Sequence, residues 1–95
     1  MKIELSRQVA EFVRSQAPEP RRKLRLALKG LAKGQGDITS LEGALTSYSR
    51  LRVSSYRVIL FYRSPNHIEC VFAERRSIVY EVFAEALRER LSQKG

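Results

Sequence analysis

Hydrophobic positions recur with two periods along this chain, and the switches between them lay out its elements. Ile3 and Leu5 alternate with Lys2 and Glu4, the period of two that marks a half-buried strand. From Ser6, a residue suited to cap a helix, the spacing changes. Val9, Phe12 and Val13 share one side of a helix expected to run to about Gln16. Pro18 and Pro20 break it, and a second helix is expected from near Pro20 or Arg21, where proline is tolerated in the first turn. Leu24, Leu28 and Leu31, with Ala27 beside them, form its apolar stripe. Gly34, Gly36 and Asp37 end that helix and open a loop that continues through Leu41-Glu42-Gly43.

Alternation returns at Tyr48. Tyr48, Arg50 and Arg52 point one way and Ser49, Leu51 and Val53 the other, and Ser54-Ser55 reads as a tight connection. Tyr56 to Tyr62 is a second strand, rich in β-branched and aromatic residues. A two-residue loop sets Val53 opposite Tyr56, Arg52 opposite Arg57, Leu51 opposite Val58 and Arg50 opposite Ile59. Leu51, Val53, Tyr56, Val58 and Leu60 then share the face that needs a core, while Tyr48, Arg50, Arg52 and Arg57 gather on the other. Like charges directly opposite destabilise a hairpin. Such a face is either a solvated basic surface or one with an anion to place between the arginines. Ser-Ser lacks the Gly or Asn that two-residue turns prefer.

Ser64-Pro65-Asn66 is a turn, and His67 to Ala73 a last strand, with Ile68, Cys70 and Phe72 alternating against Glu69 and Val71. After Glu74-Arg75-Arg76 the period becomes helical through Val79, Val82, Phe83, Ala86 and Leu87, and Leu91 extends it. The string is β-α-α-β-β-β-α: an α+β domain with helices packed on one face of a mainly antiparallel sheet.

Length and charge narrow the partners. The 95 residues support one domain with a modest core. A net charge of +8 favours nucleic acid or an acidic protein as partner. Cys70 is the only cysteine, which excludes an internal disulfide and suits a reducing compartment. No apolar run is long enough for a signal peptide or a membrane span, so a cytoplasmic protein with no membrane partner is expected.

Most catalytic classes are excluded by residue counts. One histidine, one cysteine and no Gly-x-Ser-x-Gly element leave no Ser-His-Asp or Cys-His arrangement with a second histidine. No metal-ligand spacing occurs, and no Gly-rich loop leads into a helix, so neither metal nor cofactor is expected. His67, just after a Pro-Asn turn, reads as an exposed loop histidine, and Cys70 as a small buried strand residue. What remains is cationic: Arg50, Arg52, Arg57, Arg75 and Arg76, with Tyr48, Tyr56 and Tyr80 nearby in sequence. Arginine forks match phosphate geometry, and tyrosine stacks on bases or donates a proton. Cleavage of RNA by its own 2′-hydroxyl needs a base, stabilisation of phosphorane charge and help for the leaving oxygen. Arginine is a poor base because it stays protonated. A second basic stripe, Arg22, Arg25, Lys29 and Lys33 on the second helix, is either a solvated face or an accessory phosphate track.

The segment Leu41-Glu42-Gly43, then Tyr48 to Ile59, followed by Arg76-Ser77-Ile78-Val79-Tyr80, resembles the RelE/ParE superfamily. These are the toxins of bacterial and archaeal type II toxin–antitoxin pairs. Their pattern runs roughly Leu-x-Gly, then Arg-Leu-Arg-Val-Gly-x-Tyr-Arg-Val-Ile, then His-Arg-x-x-Val-Tyr. The resemblance covers the chain in element order and is strongest from residue 41 to 80. It implies a compact microbial-RNase-like α+β fold, one toxin domain over 1–95, and an acidic, partly disordered antitoxin as partner. For RelE-type members it also implies metal-independent cleavage of mRNA in the ribosomal A site, and hence inhibition of translation.

Carried over residue by residue, the resemblance puts Arg57 on the strand arginine that holds the scissile phosphate. Arg76 falls on the motif arginine, and Tyr80 on the tyrosine that orients or stacks on the message. Arg50 and Arg52 take the basic positions of the preceding strand, and Tyr48 and Arg75 join them as candidate RNA or phosphate contacts. Ser54 replaces the usual Gly. Glu74 and Arg75 replace the usual Gly-His, so Arg75 is the candidate to take over part of the histidine's role, and the general base is unassigned. A ParE-type inhibitor of DNA gyrase and a non-catalytic RNA-binding module are the alternatives. The ParE branch tends to lack the Arg and Tyr set present here.

Overall fold

In the computed structural model the chain runs β1 (Lys2–Leu5), α1 (Arg7–Ser15), α2 (Pro18–Leu31), β2 (Asp37–Ser40), β3 (Ser49–Val53), β4 (Tyr56–Ser64), β5 (His67–Arg75) and α3 (Val79–Lys94). Residues 1–43, 47–76 and 79–94 are described, without the side chains of 79, 80 and 90–94. Leu91 of the expected helical stripe is among the latter. The described strands form one sheet in the order β1-β5-β4-β3-β2. β1 is parallel to β5, and every other pairing is antiparallel.

The β3–β4 hairpin has the expected register, with Val53 opposite Tyr56, Arg52 opposite Arg57, Leu51 opposite Val58 and Arg50 opposite Ile59. The apolar face it presents is the centre of the main core. Leu51, Val53, Val58 and Leu60 meet Val9 and Val13 of α1 and Leu24, Leu28 and Leu31 of α2, with Ile68, Cys70 and Ala73 from β5. Phe12 stands edge-on to Tyr56 at 5.8 Å between centroids. A slip of one residue would turn this whole apolar set to water.

Four expectations are corrected. The stretch expected as loop contains β2, whose Ile38 packs on the core while Asp37, Thr39 and Ser40 are exposed. The second helix begins at Pro18, after Ala17 as its N-cap. The strict alternation expected along β5 breaks. Ile59 pairs with Phe72 but Leu60 with Cys70, so Val71 is the extra residue of a β-bulge. Beyond it Phe72 changes face and Ala73 takes its place in the core.

The last correction concerns α3, which does not join the other helices. Its Phe83 packs with Ile59 and Phe72 on the opposite sheet face, against Tyr48. Helical spacing identifies a helix and its apolar side but not the sheet face that receives it. Phe83 is buried, Leu87 is half-buried, and Val82 and Ala86 are exposed. An apolar cleft of about 410 Å³ lies between α3 and the start of α1, lined in part by Val71, Phe72, Phe83, Ala86 and Leu87.

The short β1 leaves the far half of β5 to side chains. Ser6 caps α1 by accepting from Val9 N–H at 3.2 Å and donates to the Val71 carbonyl at 3.0 Å. Gln8 donates to the Ala73 carbonyl at 2.7 Å and accepts from the Ala73 N–H at 2.8 Å, as a neighbouring strand would. Gln8→Ala should therefore cost about 1–3 kcal/mol, the loss for part-buried backbone groups left unsatisfied, read from urea denaturation. A second outcome concerns Cys70, whose thiol is pushed up to about 12 by burial, with Glu69 adding to the effect. Thiol reagents should modify it at the rate of global unfolding. Its contribution to stability should hold below the ordinary thiol value of 9.0 and be lost as pH rises toward 12, because the unfolded chain gives up that proton first.

Candidate phosphate-binding site

The ladder pairings place four charged residues in one row across four strands: Asp37, Arg52, Arg57 and Glu74. Residues paired across a sheet share a face, and this is the face away from α1 and α2. The next row inward is Thr39, Arg50, Ile59 and Phe72. Beyond it Tyr48 stacks obliquely on Phe61 at 6.1 Å and edge-on to Phe83 at 5.1 Å. The face thus grades from charge at the hairpin tip to aromatic packing under α3.

Arg57 is 6% exposed, the buried charged residue of the described core. A buried cation needs partners, and the turn supplies two. Its Nη1 donates to the Ser54 carbonyl at 2.9 Å and the Tyr56 carbonyl at 2.8 Å. Ser54 turns those groups inward at φ 55, a left-handed conformation at the loop position that glycine favours in type II′ turns. The Arg76 N–H donates to the Ser55 carbonyl at 2.8 Å, tying the end of β5 to the same turn. Arg50, Arg52, Arg57 and Arg76 together line one depression of about 340 Å³. Its charge suits a phosphate group, which arginine forks bind in bidentate fashion.

The other candidates stand outside this depression. Arg75 pairs with Tyr56, and it borders a separate hollow of about 250 Å³ with Ser55, Tyr56 and Arg76. Tyr56 is on the core face, its hydroxyl donating to Gln16 Oε1 at 3.2 Å. Tyr48 is in the aromatic cluster, two residues along the face from Arg50. Tyr80 stands in the first turn of α3, with a side chain outside those described. His67 opens β5 at the end far from the depression, with Nε2 3.1 Å from Glu4. The Lys2 ammonium, 3.0 Å away, holds that Glu4 carboxyl below its ordinary range, and His67 adds to the effect. The α2 stripe Arg22, Arg25, Lys29 and Lys33 is exposed on the helix that covers the opposite sheet face.

Sequence reasoning missed Asp37 and Thr39 as members of this surface because β2 was expected as loop. The signal was the alternation of Ile38 with Asp37 and Thr39, four residues long with one apolar position.

No family model matches the sequence, and no curated protein matches it. Solved structures do. A chain of the RelB–RelE antitoxin–toxin complex from Methanococcus jannaschii superposes with a TM-score of 0.65 at 16% identity, over 84% of this chain and 98% of that one. A chain of the YoeB–YefM complex from Staphylococcus aureus gives 0.61 at 22% identity, over 78% and 94%. The YoeB/ParE toxin from Agrobacterium tumefaciens gives 0.55 at 19% identity, over 79% and 98%. The chain has the α+β fold of the RelE/ParE toxins, and the structural comparison agrees with the sequence resemblance.

The turn offers a direct check of the geometry. Ser54→Gly should raise stability by up to about 2.5 kcal/mol. Relief of left-handed strain, of order 1–3 kcal/mol, is offset by the greater unfolded freedom of glycine, about 0.4–1 kcal/mol. Chemical denaturation of the two proteins measures it.

Proposed function

We propose that this protein is the toxin of a type II toxin–antitoxin pair, a ribosome-dependent and metal-independent endonuclease that cuts mRNA and so inhibits translation. The observation that carries the reading is the convergence of Arg50, Arg52, Arg57 and Arg76 on one depression. In this mechanism the scissile phosphate sits among the four guanidinium groups. The ribose 2′-hydroxyl attacks phosphorus, the developing phosphorane charge is held by Arg57 and Arg76, and the 5′-oxygen leaves. Preorganised donors of this kind supply the largest single part of many rate enhancements. Arg57 is preorganised in that sense, its guanidinium fixed by two turn carbonyls before any substrate arrives. Tyr80 orients or stacks on the message, and Tyr48 and Arg75 are flanking RNA contacts.

The partner in this reading is an acidic, partly disordered antitoxin, and the site of action is the cytoplasm. Support comes from the net charge of +8, from the antitoxin complexes of the two similar structures, and from the apolar cleft beside α3. Among the described residues no helix is long and apolar enough to cross a membrane.

Mapping of mRNA cuts in a translating extract tests the proposal. The protein should cut within codons at the A site, and Arg57→Ala should abolish the cuts. Because Arg57 also ties the turn, the exposed Arg52 provides a second variant. Arg52→Ala should leave the fold intact, weaken RNA binding by about 1–2 kcal/mol and lower the salt slope of binding by about 1. Blocked gyrase supercoiling with no cuts would assign the protein to the ParE branch. RNA binding with no cuts would make the basic face a binding surface alone.

A further inference from the structure

Every arginine in the depression is a cation that cannot accept a proton, so cleavage there needs a base from outside the set. The row across the sheet supplies candidates at its two ends. Asp37 is exposed and stands beside Arg52 on the edge strand. Glu74 is half-buried, directly across the ladder from Arg57. It is also two residues before Arg76, whose side chain helps line the depression. Adjacent strands lie roughly 4.8 Å apart, which places the Glu74 carboxylate within reach of a ribose attached to a phosphate bound by Arg57.

The orientation of that carboxylate is fixed locally. The Arg75 N–H donates to Glu74 Oε1 at 2.9 Å. A carboxylate offers about four acceptor sites, so a hydroxyl can donate to the same group while this bond persists. The bulge at Val71 brings Glu74 to this face. Continued alternation from Cys70 would have put Arg75 here and Glu74 on the opposite side.

We propose that Glu74 is the general base of the site, taking the proton of the ribose 2′-hydroxyl whose neighbouring 3′-phosphate lies in the arginine depression. This rests on the reading of that depression as a cleavage site. The 2′-oxygen forms its bond to phosphorus as its proton passes to the Glu74 carboxylate. The bond from phosphorus to the 5′-oxygen breaks on the opposite side, and that oxygen takes a proton from water. The products are a 2′,3′-cyclic phosphate and a 5′-hydroxyl end. Glu74 then returns its proton to solvent, and no other reactant is consumed. Glu74 thus has a chemical use beside a cation cluster where its charge alone would weaken phosphate binding.

The experiment is single-turnover cleavage of an mRNA on programmed ribosomes by the full-length protein, with binding measured in parallel. Glu74→Gln preserves shape and the Arg75 contact while removing the basic oxygen. It should cleave at least 100-fold more slowly, within the usual range for a lost general base, and bind RNA as tightly as the wild type or more tightly. The wild type should leave cyclic-phosphate ends and fail on a message with a 2′-deoxy residue at the cut. Cleavage by Glu74→Gln at the wild-type rate or faster overturns the proposal and makes the carboxylate an electrostatic brake. If Glu74→Gln melts far below the wild type, Glu74→Asp carries the test. A shorter base should slow cleavage at least tenfold without loosening binding, and an undiminished rate overturns the assignment. A wild type that binds RNA but never cuts it overturns the nuclease reading itself, a result distinct from a cutting enzyme indifferent to Glu74.

Discussion

Arg52 and Arg57 face each other directly across the end of a hairpin, and the repulsion between them has to be met by something. Two unit charges roughly 4–8 Å apart at an effective dielectric of about 20 repel by about 2–4 kcal/mol. A hairpin in isolation would slip register to avoid it. Here it cannot, because the reverse side of the same residues carries Leu51, Val53, Val58 and Leu60 into the core under α1 and α2, and a one-residue slip would expose all of them. Hydrophobic burial on one face therefore enforces charge concentration on the other. The turn carbonyls that receive Arg57 and the carboxylates at the two ends of the row moderate that concentration without removing it.

The two helical layers have unequal tasks. α1 and α2 bury most of the core and hold the hairpin register, and their outer surface is free to be basic. α3 seats Phe83 on a small aromatic cluster with Tyr48 and Phe72, and Glu81, Glu85 and Glu89 follow one another along its exposed side. Among the described residues, Phe83 is the buried aromatic anchor of this helix beside the graded face. That arrangement sets a cluster of packed rings on the same sheet face as the arginine row.

Much of this was legible in the sequence because the informative stretch obeys local rules. Alternation from Tyr48 to Tyr62 and a two-residue connection determine the hairpin down to its individual pairs, and with them the gathering of Arg50, Arg52 and Arg57. The family resemblance added Arg76, which the structure brings to the same depression through a backbone bond to Ser55. β2 was hidden because one apolar residue, Ile38, is too little periodicity to register, and its flanking glycines read as loop. At Gly36 a side chain would meet the Leu51 methyl at 2.9 Å, so that glycine marks close packing of the β2 approach as well as a turn. The face taken by α3 was hidden for a different reason. A helical period states which side of a helix is apolar but carries no information about which side of a sheet awaits it. The bulge was invisible because it depends on how many residues stand opposite a partner strand.

That last feature makes the chemistry of the surface depend on counting. Upstream of Val71 the pleat of β5 runs in one phase, and downstream in the other. Glu74 and Arg75 are adjacent and opposite in sign, so which of them shares the face of Arg57 is decided by whether Val71 takes a place in the ladder. Were Val71 paired rather than bulged, Ala73 would stand opposite Arg57 and Arg75 would replace Glu74 on the basic face, a change of two charge units, while every side chain kept its identity. The pairing of one strand residue, rather than any substitution at the surface itself, thus sets whether a carboxylate stands in the row of arginines.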